Sequence, residues 1–131
     1  MRLILDASAA VEVALDRGKA REFAKLLGAA DEVLAPELLV PEVVNTVWKY
    51  HQFEKLSLIA CDRAIELALG LVDVLVSCKE LHREAFLLAR TTQRPAYDAF
   101  YLALAQREDA ALLTMDAALK REALRQGIRT L

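Results

Sequence analysis

Short apolar runs alternate with longer helix-period segments along the whole chain, and this alternation most constrains the fold. The runs contain three to five residues each, too few for a helix, and parallel strands need crossover connections that helices supply. The pattern therefore predicts an α/β fold with a parallel sheet. The five predicted strands are "LIL" (3–5), "EVLA" (32–35), "VDVLV" (72–76), "ALLT" (111–114) and "IRTL" (128–131).

The segments between these runs carry recognisable helix signals. Pro41 suits the first turn of a helix, Ser57 is a candidate N-cap, and Gly127 ends the last helical stretch. No linker or internal repeat interrupts the series, so we expect one domain over residues 1–131. The predicted helices cover residues 8–15, 19–27, 41–55, 57–69, 79–90, 96–109 and 116–126.

Composition excludes several classes of protein. The 131 residues are 56% hydrophobic, ample for one core, and the formal net charge of −2 is unlike that of a strongly basic polyanion binder. Cys61 and Cys78 lack the spacing of a zinc site or a disulfide framework, and we expect both to be buried and reduced. With no signal peptide and no apolar run long enough to span a bilayer, a soluble cytoplasmic protein is expected.

Four acidic residues stand at positions where ligands bind in α/β proteins. Asp6 and Asp116 follow the first and fourth predicted strands, at the sheet edge where ligands of open α/β folds lie. Glu42 and Asp98 fall in the first turns of helices that open after a proline, where the helix dipole favours a carboxylate. Each acid taken alone is equally consistent with ordinary helix capping.

The segment after Asp98 is apolar nearly all round, which indicates a buried helix and a partly buried charge. If the four carboxylates converge, their mutual repulsion is about 4 kcal/mol per pair at ~4 Å and a dielectric of ~20. A divalent cation relieves that repulsion. Oxygen ligands without His or Cys favour Mg²⁺ or Mn²⁺ over zinc.

At these residues the chain resembles a PIN domain, and more narrowly the VapC-type toxins of toxin–antitoxin pairs. The resemblance covers nearly the whole chain, and four acids in this order and with these flanks carry it. The matching segments are "LILDASAAVE", "PELLVPEVVNTVW", "RPAYDAFYLALAQRED" and "ALLTMDAAL".

The resemblance implies a three-layer α/β/α fold whose five-stranded parallel sheet has the order 3-2-1-4-5, so that Asp6 lies beside Asp116. It also implies an endoribonuclease that cleaves RNA with a metal-activated water, forms a homodimer and is inhibited by a cognate antitoxin. Asp6, Glu42, Asp98 and Asp116 carry over as the metal-binding acids. Ser8, Asn45 and Thr114 match positions that hold a small polar group near the metal.

Several other residues have both a functional and a structural interpretation. Arg94, four residues before Asp98, is a candidate phosphate contact or a solvated charge, and further positive charge comes from Arg107, Lys120, Arg121 and Arg125. Trp48 and Tyr50, beside Lys49, are expected to pack against helices rather than to stack on bases. His51 and His82 lack metal-ligand partners. The helices around "AKLL" and "VVNTVWKY" would form a groove for an apolar partner helix.

Three alternatives to the toxin remain open. The first is a housekeeping PIN nuclease that processes RNA without an antitoxin, and the second is a PIN-like interaction module without catalysis. The third is a phosphoacceptor or phosphatase, since an acid after the first strand recurs in many doubly wound folds. Phosphatases of that kind usually carry a second Asp two residues after the first, where this chain has Ser8.

Overall fold

A four-stranded parallel sheet forms the centre of the molecule. The computed structural model describes residues 1–131. The strands are β1 (Arg2–Leu5), β2 (Glu32–Pro36), β3 (Val74–Val76) and β4 (Ala111–Leu113), in the order β3-β2-β1-β4. The predicted parallel α/β sheet is therefore confirmed, as is the pairing of the first and fourth strands, in which Leu5 lies opposite Leu113.

The expectation of a fifth strand is wrong in detail. Residues near the C-terminus lie beside β4 on the expected side, but they form only one isolated parallel bridge, between Leu112 and Thr130. Neighbouring residues of a parallel strand direct their backbone groups to opposite sides. In the three-residue β4, only Leu112 directs its N–H and C=O toward this edge, where they bond Arg129 and Leu131 at 2.8 and 3.2 Å.

Seven helices cover the two faces of the sheet, because successive strand residues alternate between the faces. On one face, Leu5, Val33 and Leu113 pack with Val11, Phe23 and Val43; on the other, Ile4, Leu34 and Leu112 pack with Leu102 and Leu119. None of the helices is long and apolar enough to cross a membrane. The helices are α1 (Ala7–Ala14), α2 (Ala20–Ala29), α3 (Leu39–Glu54), α4 (Leu58–Gly70), α5 (Cys78–Thr92), α6 (Ala96–Glu108) and α7 (Ala117–Arg125).

Most helix boundaries follow the local signals in the sequence. The Ser57 hydroxyl caps α4 by accepting the N–H of Ala60 at 3.1 Å, and α7 ends before Gly127, which has a φ of 77°. The start of α3 differs from the prediction, since the helix begins at Leu39, two residues before Pro41. Leu39 is fully buried, and extending the helix to this residue adds it to the core. Cys61 is buried as expected, whereas Cys78, at the start of α5, is only half-buried.

The chain reverses its direction of progress across the sheet between β1 and β4. From β1 it proceeds outward through β2 and β3, and it then returns to place β4 on the other side of β1. Loops after the two strands on either side of such a switch point diverge and leave a crevice at the carboxyl edge. Asp6 directly follows β1, and Asp116 lies three residues beyond the end of β4.

Candidate active site

The four acids predicted from the sequence line one cavity at this switch point. The cavity has a volume of about 230 Å³ and opens to solvent. Residues from β1–α1, α3, α6 and the start of α7 form its walls, which are mostly polar. The lining residues are Asp6, Ala7, Ser8, Glu42, Asn45, Thr46, Lys49, Asp98, Tyr101, Asp116 and Leu119.

Asp6 is the most buried of the four acids, with 6% of its surface exposed. It is the N-cap of α1, because its Oδ1 accepts the N–H of Ala9 at 3.0 Å. The same oxygen accepts the Ser8 hydroxyl at 2.7 Å, and Thr114 donates a hydrogen bond to Oδ2. Burial raises the pKa of Asp6 although these three donors oppose the rise, and the nearby charge of Asp116 adds to it.

Ser8 and Thr114 connect the loops that follow β1 and β4. The Ser8 hydroxyl accepts the N–H of Met115 at 3.0 Å, and the Thr114 hydroxyl accepts the N–H of Asp116 at 3.0 Å. The two hydroxyls lie 3.4 Å apart. These contacts fix Asp6 relative to Asp116 through the main chain of both loops. Ser8 lines the cavity, whereas Thr114 is buried behind Asp6.

Asp116 is exposed and caps α7. Its Oδ1 accepts the N–H groups of Ala118 and Leu119 at 2.9 and 3.1 Å. Capping uses one oxygen of the carboxylate, and Oδ2 makes no hydrogen bond within the chain. The capping and the functional interpretation of this acid are therefore compatible, since a free oxygen remains at the cavity.

Glu42 is held by Tyr101, a residue that the sequence analysis missed. The Tyr101 hydroxyl donates to Oε1 of Glu42 at 2.6 Å. Burial raises the pKa of Glu42, and the charges of Asp6 and Asp98 raise it further, while the hydrogen bond from Tyr101 opposes the rise. Burial and the adjacent carboxylate also raise the pKa of Tyr101, so the phenol stays a proton donor. The available signal was spacing, because Tyr101 lies three residues after Asp98 on α6.

Asp98 forms an ion pair with Arg94. The distance from Arg94 Nη2 to Asp98 Oδ2 is 2.5 Å, and both side chains are about three-quarters buried. The Arg94 Nε is buried without a hydrogen-bond partner. Arg94 is thus engaged with a candidate metal ligand in this structure and does not line the cavity. Asp98 itself is partly buried, as the apolar character of its helix predicts.

The chemistry of the donors fits a hard divalent cation, but the ligands are not gathered into a finished site. All four candidate ligands are carboxylates, with no His or Cys among the cavity residues. As placed, no three His, Cys, Asp or Glu side chains form a cluster that could hold a metal ion. Glu42 and Asp98 each accept a hydrogen bond from a donor of their own, Tyr101 and Arg94.

The remaining polar residues named from the sequence divide into those at the cavity and those away from it. Asn45 lines the cavity with an exposed side chain. The Nδ1 atoms of His51 and His82 bond the carbonyls of Leu56 and Lys79, and neither His lines the cavity. The further basic residues, Arg107, Lys120, Arg121 and Arg125, also lie outside it.

The two predicted walls of the partner groove line different cavities, and the two aromatic residues differ in their surroundings. Leu26, from "AKLL", lines an apolar pocket with Leu3 and Leu131, whereas the polar face of α3 lines the acid cavity, so none of the main cavities joins α2 to α3. Tyr50 packs on the core as expected. Trp48 is half-exposed, and its ring forms an edge-to-face pair with that of Phe53, with the centroids 6.3 Å apart.

Comparisons with known proteins match nearly the whole chain. The sequence matches the PIN domain family over residues 3–123. It is 29% identical to a protein named ribonuclease VapC3 from Pyrobaculum aerophilum, over 91% of this chain and 92% of the relative. The fold is similar to the crystal structure of PAE2754 from the same organism, with 22% identity, a TM-score of 0.71, and 99% and 92% of the two chains covered. A toxin–antitoxin complex from Klebsiella pneumoniae has a chain with 19% identity, a TM-score of 0.64 and coverage of 90% and 89%.

Proposed function

The chain belongs to the PIN domain family, and from that premise we propose that it is a metal-dependent endoribonuclease, the toxin of a VapBC-type pair. The single observation that carries the proposal is that four carboxylates from distant segments line one cavity at the switch point of the sheet. The similarity to ribonuclease VapC3 over nearly the full length of both proteins supports it. The proposal treats residues 1–131 as one domain acting in the cytoplasm.

In this proposal Asp6, Glu42, Asp98 and Asp116 hold Mg²⁺ or Mn²⁺. The bound cation supplies an activated water and neutralises negative charge that develops on the phosphate. Ser8 and Thr114 keep both oxygens of Asp6 oriented, and Tyr101 does the same for one oxygen of Glu42. Asn45, one turn after Glu42, donates hydrogen bonds toward the substrate or its water.

Hydrolysis requires a group that accepts the proton of the attacking water. As the water oxygen bonds to phosphorus, the bond from phosphorus to the leaving ribose oxygen breaks, and that oxygen takes up a proton from the solvent that fills the open cavity. Glu42 is the candidate acceptor, because it lines the cavity and its Oε2 carries no hydrogen bond within the chain. No side-chain nucleophile is needed, and the cavity residues include no His or Cys that could activate one.

The test is RNA cleavage by the purified chain. Cleavage should stop in excess EDTA and return with Mg²⁺ or Mn²⁺. Asp6→Asn and Asp98→Asn should each lower it by at least about a hundredfold while the circular dichroism spectrum stays unchanged. Asp62→Asn, which changes an exposed acid of α4, is the matched control. Full activity in EDTA, or in both site variants, would refute the mechanism.

We also propose a cognate antitoxin, on the similarity to a chain of the Klebsiella pneumoniae toxin–antitoxin complex, and a homodimer, which the family resemblance implies. The molecule exposes large apolar side chains that a protein partner could cover: Trp48 and Phe53 late in α3, and Leu58 and Ile59 at the start of α4. Expression of the chain alone should arrest growth, and co-expression with the product of an adjacent small gene should restore it. Unimpaired growth would favour a housekeeping nuclease instead.

A further inference from the structure

The acid cavity is the middle of a longer groove along α3. It shares Glu42 and Asn45 with a neighbouring cavity that Leu38, Pro41 and Tyr97 complete. On its other side it shares Thr46 and Lys49 with a cavity that reaches Tyr50 and Glu54. Residues 41–54 of a helix extend over about 20 Å. We call this surface the α3 groove, lined by Pro41, Glu42, Asn45, Thr46, Lys49 and Tyr50.

Lys49 is the one cationic residue that lines the acid cavity. It stands among four carboxylates, yet it forms no salt bridge and no side-chain hydrogen bond, and it is exposed. Arg94 differs, because its guanidinium forms an ion pair with Asp98. The Lys49 ammonium therefore keeps its donors available for an anion that enters the groove, and a phosphate is the anion that a nuclease substrate supplies.

Tyr97 marks the opposite end of the groove. It adjoins Asp98, and its side chain is largely exposed, at 65%, beside Leu38 and Pro41. Its hydroxyl makes no hydrogen bond within the chain. An exposed aromatic ring next to a polar cleft is the arrangement on which unpaired bases stack. At the other end, Arg17 Cζ lies 4.3 Å from the centroid of the Tyr50 ring, and Arg17 Nη2 donates a hydrogen bond to Glu54 Oε1 at 3.0 Å. The guanidinium therefore covers the ring face on which a base would stack.

We propose that an RNA strand lies along the α3 groove and extends to both sides of the acids, with Lys49 binding a phosphate on one side and Tyr97 stacking on a base on the other. This inference rests on the ribonuclease function proposed above and adds its substrate-binding residues. A protein helix is the less favoured occupant, because helix-binding grooves are apolar and the walls of the acid cavity are mostly polar.

The test measures binding and cleavage of a short fluorescein-labelled single-stranded RNA of mixed sequence. Binding is followed by fluorescence anisotropy in Ca²⁺, with a gel to verify that the RNA is intact, and cleavage in Mn²⁺. Lys49→Gln should weaken binding and lower the slope of log Kd against log salt by about one. Tyr97→Ala should weaken binding by about fivefold or more. In the cleavage assay, both changes should raise KM by a larger factor than they lower kcat.

Matched controls separate this role from general damage. Lys25→Gln on α2 and Phe86→Ala on α5 remove an exposed cation and an exposed aromatic ring far from the groove, and both should bind RNA like the unaltered chain. The conservative changes Lys49→Arg and Tyr97→Trp should keep RNA binding close to that of the unaltered chain. Thermal unfolding of all variants should match that of the unaltered chain.

Each outcome has a distinct meaning. If the unaltered chain binds and cuts RNA, and Lys49→Gln and Tyr97→Ala do so with unchanged Kd and KM, the groove assignment is wrong while the ribonuclease function stands. If the unaltered chain neither binds nor cuts RNA, the proposed function fails, and the groove assignment fails with it. If the variants keep RNA binding but lose the antitoxin, the groove binds protein and the inference is overturned.

Discussion

The two halves of the acid cavity are held in different ways. In the strand half, the carboxylates of Asp6 and Asp116 accept main-chain N–H groups at the starts of α1 and α7, and the Ser8 and Thr114 hydroxyls connect the two loops. In the helix half, Glu42 and Asp98 are held only by single side chains, Tyr101 and Arg94.

This difference indicates which part of the site is preorganised. Main-chain hydrogen bonds at a cap are fixed by the fold itself, so the strand half keeps its geometry whether or not a cation is bound. A hydrogen bond or ion pair between two side chains can exchange when a stronger partner arrives. If Asp6 and Asp116 bind a cation, we therefore expect Glu42 and Asp98 to move toward it. The predictions below test this comparison, in order of decreasing effect.

Thr114→Val should have the largest effect on stability. The change keeps the shape of a buried side chain but removes the donor to Asp6 and the acceptor of the Asp116 N–H. We expect the free energy of unfolding in EDTA to fall by about 1–3 kcal/mol. Urea denaturation measures it, with Thr91→Val, an exposed helix position, as the control. A loss no larger than that of the control would remove the argument for a rigid strand half.

Tyr101→Phe should lower the free energy of unfolding by less, about 0.5–1.5 kcal/mol. It removes the donor to Glu42, but this carboxylate lies at an open cavity where water can replace the phenol. The same urea denaturation applies, and Tyr97→Phe, which alters an exposed and unbonded hydroxyl, is the control. If Tyr101→Phe destabilises the chain more than Thr114→Val does, the contrast between the halves is reversed.

The stability of the folded chain should also depend on pH. The pKa values of Asp6 and Glu42 are raised by folding, so between the ordinary values of 3.8 and 4.5 and the raised values the folded chain binds more protons than the unfolded chain. Stability contributed by their protonation is present at low pH and is lost as pH rises through this window. In EDTA, the stability of the unaltered chain relative to Asp6→Asn/Glu42→Gln should fall as pH rises. A difference that is constant with pH would contradict the prediction.

Arg94→Gln should change stability least, by less than about 1 kcal/mol, because the ion pair with Asp98 remains partly exposed. Its effect should instead appear in metal binding. Removing the cation that pairs with Asp98 should strengthen Mn²⁺ binding several-fold in calorimetry. The control Arg90→Gln, which changes an exposed cation near the end of α5, should leave Mn²⁺ binding unchanged. Weaker Mn²⁺ binding in Arg94→Gln would show that Arg94 positions Asp98 rather than competes for it.

The strand half could be predicted from local sequence, and the helix half only in part. Asp6 directly follows a short apolar run, Asp116 follows one after a single intervening residue, and a helical pattern comes next in both cases. This arrangement identifies both a cap and a sheet edge, which is why the two acids could be placed. The position of β4 beside β1 came from the family resemblance, since spacing along the chain does not set strand order. The hydrogen bond from Tyr101 to Glu42 depends on how α6 packs against α3, and no local pattern encodes that contact. Arg94 lies four residues before Asp98, which is a local spacing, but the sequence analysis assigned its charge to a phosphate or to solvent rather than to this acid.

The differences from the sequence analysis have the same origin. The C-terminal segment "IRTL" has the composition of a strand, but the shortness of β4 limits it to one bridge. Pro41 marks the first turn of α3 correctly, yet the helix begins at Leu39 because that side chain enters the core. In both cases tertiary contacts decided where a locally well-predicted element starts or ends.

The account depends most directly on whether the four carboxylates share a divalent cation. Isothermal titration of Mn²⁺ into the unaltered chain, Asp6→Asn, Asp98→Asn and the control Asp62→Asn addresses this without any substrate. We expect saturable binding by the unaltered chain and by Asp62→Asn, and affinity lower by at least about tenfold in both site variants. No saturable binding by the unaltered chain, or equal affinity in all four proteins, would contradict the account.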